Sequence, residues 1–349
     1  MIKKIIYLTY TRPDYPLNSV LIKGLRENGV EVAESHIKDR GIWGFVKAIS
    51  FYWQNLKNTD AIIIGYDSPA LAIFIRLFCF KKVIYNAVLS VYERFIISRE
   101  LASRFSIKAF YYWLLDFLAI RFADLVAVES NHQADFFKKL FKVSGKKIYR
   151  SWIGVDENKF FYDPMVTKFS KFTILFRGAL QPETGAEYAV YAAKLLEGED
   201  IKFIMHVGGQ LIDKIKNLIG ELKLNNLEIS SELLPAEELR RLMQKCHVSL
   251  GQLSGHKRLE RTIPHKAYES LALKLPYLTA ANSGILELLI DGATCITCKP
   301  ADARSLADKI LWIKNNYATA EKVAENGYSL YQNNLKSYII AKNLLNRQI

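Results

Sequence analysis

The sequence predicts an α/β chain built from two Rossmann-like, doubly wound parallel sheets in tandem. Three observations point there. Short β-branched runs alternate with amphipathic segments of helical length, the strand runs are apolar on both faces, and the alternation stops once and then restarts. Strands covered by helices on both sides need apolar residues on both faces, and a repeated β-α-β order reads as parallel sheet with right-handed crossovers. A length of 349 residues suits two domains, since single cores seldom grow past roughly 250–300 residues.

In the first half, strands are expected at Lys4–Thr9, Val30–Ala33, Asp60–Gly65, Lys82–Asn86, Asp124–Glu129 and Lys147–Arg150. Between them Ser19–Asn28, Ile42–Leu56, Ala70–Phe80 and His132–Lys142 carry helical spacing. Phe161–Lys171 is polar, contains Pro164 and keeps no period, which makes it the expected linker between domains 1–165 and 166–332. The second set of strands is Phe172–Arg177, Ile201–Val207, Leu227–Ser230, Val248–Gly251, Tyr277–Ala280 and Thr294–Thr297. Helices at Gly185–Leu196, Gln210–Leu222, Ala236–Lys245, Pro264–Leu273 and Ala301–Asn315 separate them. The last helical stretch, Ala318–Asn346, is too long for another βα unit, and residues 333–349 are expected to cross back to the first domain. Ligands of open α/β sheets bind at the carboxyl ends of the strands, so both sheets are expected to face one cleft.

Composition excludes several classes. Half of the residues are hydrophobic and 24% are charged, which rules out a disordered or fibrous chain. Four cysteines are too few for a disulfide framework and fit a reducing compartment. Cys295 and Cys298 form a lone C-x-x-C in a short strand, where residues three apart point to opposite faces, so two packed thiols are expected there. Lys3 and Lys4 precede only a short apolar run, unlike a secretory signal. Arg76 and Asp116 interrupt the two longest apolar runs, so no spanning helix is expected and the protein is read as cytoplasmic.

Chemistry concentrates in the second half. Phe172–Arg177 ends in Arg177-Gly178, followed by Pro182-Glu183-Thr184-Gly185 and a helix, a strand–turn–helix that offers backbone N–H groups to a phosphate. It serves equally as a tight βα turn that needs a glycine for close packing. In Arg261–Glu269, Pro264 suits the first position of a helix, which sets Lys266 and Glu269 three apart on one face. Arg261 and Lys266 would add full charges at the helix start, and Glu269 could accept from a ribose diol. The alternative leaves Lys266 solvated and Glu269 complementing the helix dipole. The six histidines show no metal-ligand spacing; His132 and His206 sit at strand ends where a substrate could reach them. No Asp-x-Asp pair occurs, so no metal is expected.

Arg177-Gly178…Pro182-Glu183-x-Gly185, the Arg261–Glu269 run and Leu271-Ala272-x-x-x-Pro276-x-x-Thr279 resemble the nucleotide-sugar domain of family 4 glycosyltransferases with the GT-B fold. Ala123-Asp124-Leu125-Val126, Gly154-Val155-Asp156 and Phe160 are similar to the end of their first domain. The likeness runs from about Asp124 to Ala307, and Ser90-Val91-Tyr92-Glu93 adds a stretch shared with one subgroup. It implies a UDP- or GDP-type sugar as donor, a saccharide or lipid-linked saccharide as acceptor, and retention of configuration. Glu93 acting as base in an inverting reaction is the alternative. Relatives have Arg and Lys where Ala179 and Thr184 stand, a first Glu where Arg261 stands, and often a His near Asn86–Ser90. The donor is therefore expected on Arg177, Gly178, Gly185, Gly208, Arg261, Lys266 and Glu269, with Glu269, Lys266 and Glu93 catalytic. Asn86, Ser90, Tyr92 and His132 are expected on the acceptor side. A catalytically silent relative and a sugar-nucleotide epimerase are the other functions open to such a chain.

Of the +13 net charge, +9 falls at or before Ser170. There Arg76, Lys81, Lys82, Arg94, Arg99, Arg104, Lys108 and Arg121 interleave with Phe74, Phe78, Phe80, Phe105, Phe110, Tyr111 and Trp113. Mixed basic and aromatic residues suit peripheral contact with an anionic membrane at its inner face, or else a solvated basic surface over an aromatic core. No nucleic-acid recognition motif is present, and no nucleic-acid partner is expected.

Overall fold

The computed structural model describes residues 2–347. Contacts divide it into two units, one formed by the chain up to Asp156 together with the segment from Leu335, the other by Glu157–Asn334. Each unit contains one six-stranded sheet whose paired strands all run parallel.

The first unit runs β1 (Lys4–Thr9), α1 (Pro16–Glu27), β2 (Glu31–His36), α2 (Ile42–Asn55), β3 (Ala61–Ile64), α3 (Pro69–Phe78), β4 (Lys82–Val88), α4 (Ile107–Phe122), β5 (Leu125–Val128), α5 (Asn131–Phe141) and β6 (Ile148–Arg150). Its strands lie in the order β2-β1-β3-β4-β5-β6. Ile5, Tyr7, Ile63 and Ile84 are buried on one face, and Ile6, Leu8, Ile62 and Ile64 on the other. That is the two-sided burial a sheet between helices imposes. Ser106 and Ser130 accept from Ala109 N–H and Gln133 N–H and so cap α4 and α5.

The second unit runs β7 (Phe172–Ala179), α6 (Ala186–Leu195), β8 (Ile201–Gly208), α7 (Ile212–Leu222), β9 (Leu227–Ser230), α8 (Ala236–Lys245), β10 (Val248–Leu250), α9 (His265–Ala272), β11 (Tyr277–Ala280), α10 (Ser283–Leu286), β12 (Ile296–Cys298), α11 (Ala303–Asn315) and α12 (Tyr317–Asn334). The strand order is β12-β11-β10-β7-β8-β9. In each sheet the winding reverses once, between β1 and β3 in the first and between β7 and β10 in the second.

Three sequence expectations need correction. The polar stretch Phe161–Lys171 belongs to the second unit, where Arg240 lies over the Phe161 ring at 4.0 Å and Gln244 Nε2 donates to the Asp163 carbonyl at 3.1 Å. Lys168 Nζ donates to the Cys246 carbonyl at 2.7 Å, so the segment is fastened despite having no period. The expected long last helix is two: α12 ends at Asn334, Leu335 is fully buried, and α13 (Ser337–Leu345) packs against α1 in the first unit. The first strand of the second half is longer than expected and carries Arg177 within it. Cys295 and Cys298 are free, buried thiols, and burial pushes both up to about 12.

The α1–α13 contact depends on a missing side chain. A Cβ at Gly24 would run into the Ser337 carbonyl and the Ala341 side chain. Gly24→Ala is expected to destabilise the first unit by up to about 2 kcal/mol, because an overpacking cost of about 1–3 kcal/mol outweighs a helix-propensity gain of about 1 kcal/mol. Urea denaturation of wild type and variant, followed by circular dichroism, measures the difference.

Candidate active site

The reversal between β7 and β10 brings two loops together at the carboxyl ends of the second sheet. The loop after β7 is pinned: Leu180 N–H donates to the Gly208 carbonyl at 2.6 Å, and Thr184 Oγ1 donates to the Gln181 carbonyl at 2.8 Å. The loop after β10 closes on it, with Leu253 N–H donating to the Thr184 carbonyl at 3.0 Å and Ser254 Oγ to the Glu183 carbonyl at 2.7 Å. Gly185 joins them, because its φ of +67° and the closeness of Ser254 N leave no room for a Cβ. Thr184, where a lysine would stand in relatives, thus secures the turn.

Into this junction α9 sends Lys266 and Glu269, and β7 sends Arg177; all three are buried or nearly so. Arg177 pairs with Glu269 Oε2, and His265 Nδ1 lies 3.1 Å from Glu269 Oε1, one turn back on the same helix. Lys266 runs past Gly178 and sets its Nζ 4.5 Å from the centre of the Phe176 ring. Burial, and then the neighbouring Arg177, bring the Lys266 ammonium down to about 7; burial lowers Arg177 to about 10. His206, beside Arg177 on β8, is lowered by burial and by that guanidinium. Two buried basic side chains therefore lie in one place, and the carboxylate of Glu269 pairs with Arg177. Burying a charge without a full partner is costly, and an anion arriving here would remove that cost.

The structure brings together Arg177, Gly178, Gly185, Lys266 and Glu269, as the sequence suggested, and separates others. Lys266 is not solvated. Glu269 already engages Arg177 and His265, so in this state it orients cations and does not present a carboxylate to a ribose diol. Arg261 follows a 3₁₀ turn, Lys257–Glu260, and its Nη1 donates to the Lys257 carbonyl at 3.3 Å. The basic partner on this loop is Arg258, paired with the buried Glu183. Pro264 is the N-cap and not the first helical residue. Gly208 contributes its carbonyl to the β7 loop, while Gly209, at φ +104°, takes the turn. His265 was legible as the residue four before Glu269; the Arg258–Glu183 pair spans 75 positions and left no local signal.

In the first unit the expected acceptor residues divide. Asn86 Nδ2 donates to the Leu17 carbonyl at 3.1 Å, and Ser90 Oγ accepts from Glu93 N–H at 2.9 Å. His132 is exposed in the first turn of α5, and Tyr92 is half-buried. Glu93 is 0% exposed and accepts from Gln133 Nε2 at 2.5 Å, in no position to touch a substrate hydroxyl as a base. It opens a π-helix, Glu93–Ser98, beneath which the buried Asp116 carboxylate accepts from Val91 and Tyr92 N–H. Burial pushes Asp116 up to about 7 against those two hydrogen bonds.

Residues 165–330 match the family model described as glycosyl transferases, group 1. An uncharacterized glycosyltransferase of Methanocaldococcus jannaschii is 26% identical over 155 residues, covering 44% of this chain and 41% of that protein. The chain thus spans less than half the length of this curated relative. Among solved structures, HepE of Anabaena in complex with UDP-glucose is similar over 99% of both chains, with a TM-score of 0.74 and 16% identity. Sucrose-phosphate synthase of Thermosynechococcus elongatus gives 0.75 and 14%, again over 99% of both chains. At such identities the likeness is one of fold: two doubly wound α/β domains of the GT-B kind.

The Lys266 environment makes stability depend on pH. Its ammonium is held near 7 in the folded state and returns to the ordinary 10.5 on unfolding, so the unfolded chain binds more protons between those values. Stability therefore rises with pH across that window, by at most about 1.4 kcal/mol per pH unit. Urea titrations from pH 7 to pH 10 are expected to show this rise in wild type and a flatter profile in Lys266→Met.

Proposed function

From the group 1 glycosyl transferase domain at residues 165–330 we infer that the chain moves a sugar from a nucleoside-diphosphate donor to a saccharide or lipid-linked saccharide acceptor. The observation that carries this reading is the pair of buried cations, Arg177 and Lys266, over the single carboxylate of Glu269 at the carboxyl ends of β7 and β10. A diphosphate leaving group develops negative charge as the glycosidic bond breaks, and the Arg177 guanidinium, already in place, stabilises it, joined by Lys266 once protonated. Glu269 and His265 fix the guanidinium, and Lys266 takes up a proton when the diphosphate raises its affinity for one. UDP is the favoured nucleotide, on the strength of the UDP-glucose complex of a protein with the same fold.

Transfer is read as metal-independent, since Arg177 and Lys266 can supply the positive charge that a diphosphate leaving group needs. Retention is favoured over inversion by the complete burial of Glu93. Work at a membrane surface is supported by an apolar face on the first unit. Trp43 and Trp53 of α2, Leu77 and Phe78 of α3, Phe80, Phe105, Ile107 and Phe110 are all exposed, Phe105 fully. Neighbouring helices α2, α3 and α4 carry most of them, with exposed Lys47, Lys82, Arg104 and Lys108 in between. Exposed patches of this kind mark interaction surfaces, and the basic residues select anionic lipid. Among the described residues no helix is long and apolar enough to cross a membrane. Cell-surface glycan synthesis at the inner face of the membrane completes the reading.

Two measurements test it. UDP titrated into the protein at pH 8, in buffers of different ionisation enthalpy, should show uptake of a proton that disappears in Lys266→Met; proton-neutral binding in wild type contradicts the assignment of the site. Phe105→Ser with Ile107→Ser should reduce the affinity for phosphatidylglycerol vesicles by more than about a hundredfold, as expected for losing two buried apolar side chains of roughly 1.5–3 kcal/mol each. Binding that survives both changes rules out this face.

A further inference from the structure

We propose that the acceptor sits at the point where the first sheet reverses, between β1 and β3, and that it presents a sugar ring bearing an anionic group. This rests on the transfer reading above and names the class of its second substrate. Open parallel sheets bind ligands where the strand order reverses, outside the carboxyl ends. In the first sheet β1 lies between β2 and β3, so that place belongs to the loops that follow β1 and β3, not to the β4 end at which Asn86, Ser90 and Tyr92 stand.

These two loops are built as a rigid frame. Asn18 of α1 accepts from Tyr7 OH and Tyr66 N–H, both at 3.0 Å, and donates to Thr11 Oγ1 at 2.7 Å and to the Arg12 carbonyl at 3.1 Å. Ser68 Oγ accepts from Tyr10 N–H at 2.8 Å and donates to the Tyr66 carbonyl at 3.1 Å. One asparagine and one serine thus tie both loops together. Asp67 adopts a φ of 58°, in the left-handed region that aspartate tolerates better than most residues and that tight turns use.

The frame presents aromatic and cationic groups. Tyr15 is exposed and lies nearly parallel to the buried Tyr66, rings 5.9 Å apart and 11° out of plane, which fixes its outer face as a platform for a sugar ring. Arg94 contacts the Tyr66 ring from 5.7 Å and pairs with Asp67 at 3.1 Å. Arg40 stands over Tyr10 at 5.3 Å and reaches the other Asp67 oxygen at 3.3 Å. The charges facing this place are Arg12, Arg40 and Arg94 against Asp14, which pairs with Arg12, and Asp67; Asp39 is occupied with the Gly41 N–H. Asp67 alone holds two guanidiniums, and Arg40 is the exposed one, ready for a second anion. Tyr10 is buried, and its hydroxyl has no hydrogen-bond partner. A carboxylate of an acidic sugar and a phosphate joining a saccharide to its lipid carrier both fit this chemistry.

Calorimetry on the full chain separates the possibilities. The probes are a glucuronate-containing disaccharide, its carboxyl-reduced counterpart and a short-chain prenyl-diphosphate-linked N-acetylglucosamine. One of the two anionic probes is expected to bind about tenfold more tightly than the neutral one, in line with a charge-assisted hydrogen bond, and which one does so identifies the source of the charge. Arg40→Gln should erase that preference, and Tyr15→Ala should weaken all three probes, with melting temperatures within a degree or two of wild type. Equal binding of all probes, or an anionic preference untouched in Arg40→Gln, overturns the proposal. UDP affinity measured in parallel reports on the second unit alone, so failure of the donor reading and failure of this one are told apart.

Discussion

The candidate site turns on two buried basic side chains, of which Arg177 has the carboxylate of Glu269 as its partner. Glu269 holds Arg177 at the end of β7, and burial, followed by that guanidinium, lowers Lys266, which stands one turn of α9 before Glu269. Remove the carboxylate and the Arg177 guanidinium is left buried without its partner. The loops after β7 and β10 serve this arrangement. Their mutual hydrogen bonds, and the glycine between them, hold the two loops together.

The first unit stores constraint of another kind. Val88 ends β4 at a φ of 62°, rarely tolerated by a β-branched residue, beside a register shift against β5. A π-helix follows, opened by the buried Glu93 and tied to α5 through Gln133. Bulges, left-handed residues and π-helical turns gather where backbone must be aimed at something. Here they turn Arg94 toward Asp67 and Tyr66, joining the strained end of β4 to the loop after β3.

Much of the architecture was legible, because a doubly wound sheet writes itself as apolar runs at regular intervals. Arg177, Lys266 and Glu269 were legible for a different reason: they lie close to turn residues, Gly178 and Pro264, whose positions bracket the strand and helix ends. What stayed hidden was settled by partners far along the chain. Arg258 and Arg261 look alike in a sequence pattern, and the pairing of Arg258 with the distant Glu183 leaves no mark in it. Asp116 reads as an interruption in an apolar helix, yet it is the buried acceptor that receives two N–H groups from the chain after β4. Phe161–Lys171 reads as a linker because its fastening comes from α8 and not from any period of its own.

The placement of α13 sets an order on biosynthesis. The first unit is discontinuous, its opening 156 residues separated from its last helix by the whole of the second unit. A ribosome delivers the sheet of the first unit early but withholds the helix that seals α1 until the second unit has been made. Vectorial synthesis therefore gives the second unit, whose residues are contiguous, the chance to fold to completion first, while the unit that was started earlier waits with an uncovered flank.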